Sequence, residues 1–171
     1  MGREIRRVPP NWEHPRKGDD FQPMWNRDAE TVMAKWQEEF AKWVAGGYDH
    51  EYPKSEPYRS FCNWYGGPPD PEYYRPKWDE ASATWWQVYE TVSEGTPVSP
   101  AFATPEELVD YLVANGDFWD QARRKSGRSS MNCQPWDRKV AETFVKQGWA
   151  TSFVVDNHGN IRSGVETLAD L

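Results

Sequence analysis

Between Arg27 and Ala45 the apolar residues Ala29, Val32, Met33, Trp36, Phe40, Trp43 and Val44 recur every three or four positions, and Gly46-Gly47 follows as a stop. That is the period of an amphipathic helix. Trp36 and Trp43 lie seven apart and share a face, so they are expected in a core rather than on a ligand platform. A second helix is predicted from Thr104-Pro105-Glu106-Glu107, where Thr104 as N-cap, Pro105 at the first helical position and Glu107 at the third form a capping box. It ends at Asn115-Gly116. Gln134-Pro135-Trp136 opens a third, with Trp136, Val140, Ala141, Phe144 and Val145 on one face and Gly148 as its stop. Residues 117–134 read as loop.

The period changes elsewhere. Thr84–Val92 is dense in β-branched and aromatic residues and reads as a strand after a short helix from Trp78 to about Ala83, although Trp78, Ala81, Trp85, Val88 and Val92 also keep helical spacing. Ser93-Glu94-Gly95 is a turn, and Thr96–Ala103 is extended. Residues 150–155 and 161–163 flank Asp156-Asn157-His158-Gly159-Asn160, the pattern of a hairpin with a glycine-bearing loop. The expected fold is α+β, with three to four helices and a small antiparallel sheet that includes a C-terminal hairpin.

Two stretches lack any period. Residues 1–25 hold Pro9, Pro10, Pro15 and Pro23 with Trp12, Phe21 and Trp25 between them, which predicts an extended Pro-rich arm anchored by rings. Residues 46–77 are rich in Pro, Tyr and Gly and read as a long irregular segment, either a lid over function or a poorly ordered insertion. Tyr and Trp exposed there would suit a protein interface or sugar stacking; held against the fold, they would merely pin a loop. The length of 171 residues fits one domain spanning 1–171.

Composition sharpens this picture. Eleven Trp, eight Tyr and seven Phe argue against disorder, because disordered chains are poor in rings. No run of about 18 apolar residues exists, and Met1–Arg7 is charged with no apolar stretch, so neither a membrane span nor a secretory leader is expected, and the chain reads as cytosolic.

The net charge of -7 is unevenly spread: residues 28–120 carry eighteen acidic against six basic side chains, while the flanking segments are weakly basic. Such an acidic middle could imitate nucleic-acid phosphates or dock on a basic partner, and it equally suits a solvated surface. Nucleic acid itself is not expected as a partner except through the basic loop Arg123–Arg128. A protein partner is expected, and a membrane is not.

Candidate chemistry is sparse. Cys62 and Cys133 are too few for a zinc cluster and read as free, with a disulfide left open. His14, His50 and His158 form no metal spacing, and Asp156, His158 and Asn160 alternate like calcium-loop ligands without the closing Glu. No metal or cofactor is expected. G-x-S-x-G, Walker A and G-x-G-x-x-G patterns are missing, which removes support for α/β-hydrolase, P-loop and Rossmann chemistry. Paired carboxylates of a glycosidase stay open, because their spacing is spatial.

The segment Trp86-Gln87-Val88-Tyr89-Glu90-Thr91-Val92-Ser93-Glu94-Gly95-Thr96-Pro97-Val98-Ser99-Pro100-Ala101-Phe102-Ala103-Thr104-Pro105-Glu106-Glu107-Leu108 and the opening Met1-Gly2-Arg3-Glu4-Ile5-Arg6-Arg7-Val8-Pro9 resemble an uncharacterised family of small tailed-bacteriophage and prophage proteins. Some members look metal-binding through cysteine pairs between these blocks; only Cys62 stands there in this chain, so that role is not carried over. The resemblance implies a viral protein of the host cytoplasm or the virion. The expected function is a phage-encoded, non-enzymatic interaction protein that binds and inhibits a host component such as a defence nuclease. The alternatives are a virion or assembly protein and a small cell-wall glycoside hydrolase. Partner contact is assigned to Tyr65, Trp86, Tyr89, Glu90, Glu94, Glu106, Glu107 and Asp110.

Overall fold

The computed structural model describes residues 2–48, 55–127 and 134–170, so the readings of His50, Arg128 and Cys133 lie outside the described residues. In chain order the elements are β1 (Gly2–Val8), β2 (Arg16–Lys17), β3 (Asp20–Phe21), β4 (Trp25–Asp28), α1 (Ala29–Val44), α2 (Pro57–Tyr65), β5 (Tyr74–Arg75), β6 (Trp85–Glu90), β7 (Thr96–Pro97), α3 (Pro105–Asn115), α4 (Phe118–Lys125), α5 (Arg138–Gln147), β8 (Trp149–Thr151), β9 (Phe153–Val155) and β10 (Ile161–Ser163). Short 3-10 turns add Pro71–Tyr73, Glu80–Ser82 and Glu166–Asp170. The fold is α+β and closes with the C-terminal hairpin β9–β10. The chain divides into two compact units, one of residues 1–23 and 78–171 and one of residues 24–77.

In the larger unit a four-stranded antiparallel sheet has the order β7-β6-β1-β8. The segment read as an extended arm thus supplies an inner strand. Gly2 is required there, since a Cβ would overlap the Ala150 carbonyl on β8. The register pairs Ile5 with Val88, Arg7 with Trp86 and Arg3 with Ala150, so these residues share one face. Val88 and Ala150 on it pack into a core with Leu108, Val109 and Leu112 of α3 and Val140, Ala141, Phe144 and Val145 of α5. Both helices form as their patterns require. The Thr104–Glu107 capping box is complete, and α5 opens at Asp137, whose carboxylate accepts from the Lys139 N–H, and ends on left-handed Gly148.

Residues 117–134 are not all loop. Asp117 and Asp120 form a second capping box that starts α4, and Arg123, Arg124 and Lys125 fill its last turn, where positive charge complements the helix dipole. The basic cluster therefore begins on a helix end. The Asp-x-x-Asp spacing was the readable signal for it.

The smaller unit is built on rings. In α1, capped by Asp28, Trp36, Phe40 and Trp43 repeat at i, i+4 and i+7 and meet Phe61 of α2 at centroid distances of 5.4, 5.3 and 5.8 Å. Phe61 is fully buried. The stretch 46–77 thus contains a helix that its sequence hid, because Tyr58, Phe61 and Trp64 are interleaved with Arg, Ser and Asn and no side chain caps its start. β4 and β5 add a short parallel pair.

Candidate protein-binding surface

Helix α2 positions the exposed rings. Pro57 at its first turn favours helix initiation, and its last turn is held where the Trp36 indole N–H donates to the Gly66 carbonyl at 3.0 Å. Phe61 points into the aromatic core, which turns its neighbours outward. Tyr65 stacks on Phe61 at 5.0 Å, Trp64 stacks on buried Trp43 at 4.9 Å, and Tyr58 stands edge-on to Trp36 at 6.0 Å. Tyr58, Trp64 and Tyr65 nevertheless remain 52%, 44% and 41% exposed. Hydrogen bonding with the half-buried Cys62 thiol raises the Tyr58 hydroxyl above its ordinary pKa, so it stays a neutral donor and acceptor. Stacking on buried rings restrains these side chains before any partner arrives, which lowers the entropy lost on binding.

The other residues assigned to partner contact lie in the larger unit, and they are not equivalent. Trp86 is half-buried on the core-facing side of β6, with the Arg7 guanidinium 4.1 Å over its ring. Glu90, on the same face, accepts from the indole N–H of exposed Trp119 at 3.0 Å. Glu94 is exposed in a turn, with a positive φ of 60°. On α3, Glu106 and Asp110 are exposed and share a helix face, and Asp110 is paired with Arg138 at 2.8 Å. Glu107 is committed to capping, accepting from the N–H groups of Ala103 at 3.1 Å and Thr104 at 3.2 Å.

Tyr89 lies on the opposite face of β6 and is 2% exposed, so it is spent inside the fold rather than offered to a partner. Its hydroxyl accepts from Trp12 Nε1–H at 3.2 Å, donates to Gln87 Oε1 at 2.8 Å and lies 3.2 Å from His14 Nδ1. Burial pushes its pKa up to about 12. His14 Nε2 lies 2.7 Å from the Gln22 carbonyl and must carry a proton, because a carbonyl only accepts. Burial lowers the His14 pKa, with Arg6 and Arg16 adding to the shift against the Gln22 bond. Arg6 itself stacks 4.3 Å over the Tyr89 ring and donates to Glu4 at 2.6 Å. Sequence reasoning missed this hub because its members are up to 77 residues apart in the chain.

It also missed a buried acid pair. Asp117 is 0% and Asp120 5% exposed. Arg3 Nε donates to Asp117, while Asp120 accepts from Trp136 Nε1–H at 2.9 Å and from the Asp117 N–H at 3.2 Å. Burial first, and then the Asp117 charge, raise the Asp120 pKa. Both oxygens of Asp117 and one of Asp120 are held in capping and anchoring bonds, so the pair serves the start of α4. No group of three or more His, Cys, Asp or Glu able to hold a metal occurs among the described residues, and no helix among them is long and apolar enough to cross a membrane. Comparison with protein-family models, curated proteins and solved structures gives no match.

Proposed function

We propose that this chain is a non-enzymatic interaction protein that grips a protein partner through the α2 rings Tyr58, Trp64 and Tyr65. One observation carries the reading: three large rings are exposed together while seated on fully or largely buried ones. Tyr and Trp anchors of this kind are the residues that dominate interface energies. The resemblance to tailed-phage proteins supports a bacterial host component, of which a defence nuclease is one, as the partner, and binding would act by blocking it.

The test is a pull-down from bacterial host lysate with the full chain as bait. A stoichiometric partner should be retained by the wild type and lost from Trp64→Ala and Tyr65→Ala, with both variants keeping their far-UV circular dichroism. Equal retention by the folded variants would overturn the aromatic site. Recovery of no partner, together with abundant copies in purified virions, would replace the proposal with the structural-protein reading.

A further inference from the structure

Helix α4 begins with an unstacked ring and ends in positive charge. Trp119 is 44% exposed, and its indole N–H donates to Glu90 Oε2 at 3.0 Å, a bond that fixes the ring by its edge. Among the described residues no other ring stacks on it, whereas the exposed rings of α2 all lie against aromatic neighbours. Arg123 follows at i+4, on the same strip of helix surface, with roughly 5–6 Å between the two Cβ atoms. Ala122, Lys125 and Ser126 are exposed around it. Neither Arg123 nor Lys125 meets a carboxylate among the described residues, although Lys42, Lys77, Arg138 and Arg162 are each paired. Arg124 is spent differently, donating to the Asn115 carbonyl. The acids at the start of the helix do not offset this charge at the surface, because Asp117 and Asp120 are buried and bonded within the fold. A helix C-terminus carries only about half a negative charge, so the three cations of the last turn more than cancel it.

We propose that the outer face of α4 binds single-stranded nucleic acid, a base stacking on Trp119 while Arg123 and Lys125 hold the adjoining phosphates. Charge complementarity selects an anionic partner, and the ring then selects among anionic partners. An acidic protein segment would use the cations but bring nothing flat to the indole. A base does, and such stacking tolerates any sequence because every base has a π-face. A duplex keeps its bases within the stack and would engage the cations alone. The net charge of -7 opposes a polyanion at long range, so binding is weak at physiological salt and salt-dependent. The site belongs to the larger unit and uses none of the α2 rings.

Fluorescence anisotropy of an end-labelled oligothymidylate of about twelve nucleotides, long enough to fill a single-strand site, tests this by titration with the full chain at low salt. Saturable binding is expected, with log K falling against log salt at a slope of about -1.4 for two engaged phosphates. Trp119→Ala should weaken it about tenfold, and Trp119→Tyr, which keeps a flat ring, should stay within about threefold of wild type. Changing Arg123 and Lys125 together to Gln should weaken binding and flatten the salt slope towards zero. All three positions are solvent-exposed, and far-UV circular dichroism shows whether each variant is folded; the double Gln variant tests the site without touching the ring. No saturation by about 1 mM chain, equal binding by folded Trp119→Ala, an unchanged slope in the double Gln variant, or a duplex bound as tightly as the single strand would each overturn the proposal. Competition by polyglutamate as effective as that by unlabelled oligothymidylate would replace it with an acidic protein partner.

Discussion

Replacing Tyr89 by Phe removes one oxygen and keeps the ring, so the apolar packing and the Arg6 stack at 4.3 Å survive. What is lost is the hydroxyl that accepts from the Trp12 indole N–H at 3.2 Å and donates to Gln87 Oε1 at 2.8 Å, with His14 Nδ1 beside it at 3.2 Å. A buried polar group left without its bond costs about 1–3 kcal/mol. The two 3.2 Å contacts sit at the long limit of good geometry, and Gln87 keeps its second bond, to the Ser99 carbonyl at 2.9 Å. The expected loss is therefore about 2–4 kcal/mol, or roughly 5–15 °C in the melting temperature of a chain this long. Urea unfolding followed by near-ultraviolet circular dichroism would measure it, since the chain's many packed rings report the loss of tertiary structure. Trp12→Phe in the Tyr89→Phe background should then cost less than it does alone, because the two share one bond. A loss below about 0.5 kcal/mol, the size of an ordinary surface change, would refute the buried hub and return Tyr89 to the surface.

Two further outcomes follow from the same unit. The His14 pKa lies below 6.5 in the fold, so between that lowered value and 6.5 the unfolded chain binds the proton more readily. Stability from this residue is fully present above pH 6.5 and is lost as pH falls through that window. Urea midpoints at about pH 7.5 and pH 5.5 should differ more in the wild type than in His14→Gln; equal slopes would show that His14 is not buried neutral. Asp117→Asn leaves the largely buried Arg3 guanidinium without its counter-charge and weakens the α4 cap, for an expected loss of about 3–5 kcal/mol. A calorimetric or urea measurement within about 0.5 kcal/mol of wild type would place that ion pair in solvent instead.

How far the chain could be read depended on the reach of each signal. α1 and α3 were legible because a helix is specified by neighbours three and four apart and by caps within one turn. The hairpin at 153–163 was legible for the same reason, its turn and both strands lying within eleven residues. α2 was not: Tyr, Cys, Trp and Asn over Pro57–Tyr65 have ordinary helix propensity, and what makes them helical is Phe61 locking into Trp36, Phe40 and Trp43 of another element. α4 was missed for a different reason, since its Asp117–Asp120 box was present but lacked an apolar stripe behind it.

The partner-contact residues divide along the same line. The exposure of Glu94, Glu106 and Asp110 could be anticipated, because charged residues stay at the surface by default. Glu107 was assigned twice, to the capping box and to a partner, and its cap bonds give it to the box. Tyr89 and Trp86 sit three residues apart with similar chemistry, and only the pairing of β6 between β1 and β7 put one beneath the Trp12–His14 segment and the other against Arg7. By itself the sequence determined helices α1, α3 and α5, the turns and the acidic middle, all of which rest on local spacing or composition. Tertiary structure alone decided which rings are walls and which are surface, because burial depends on partners brought from tens of residues away.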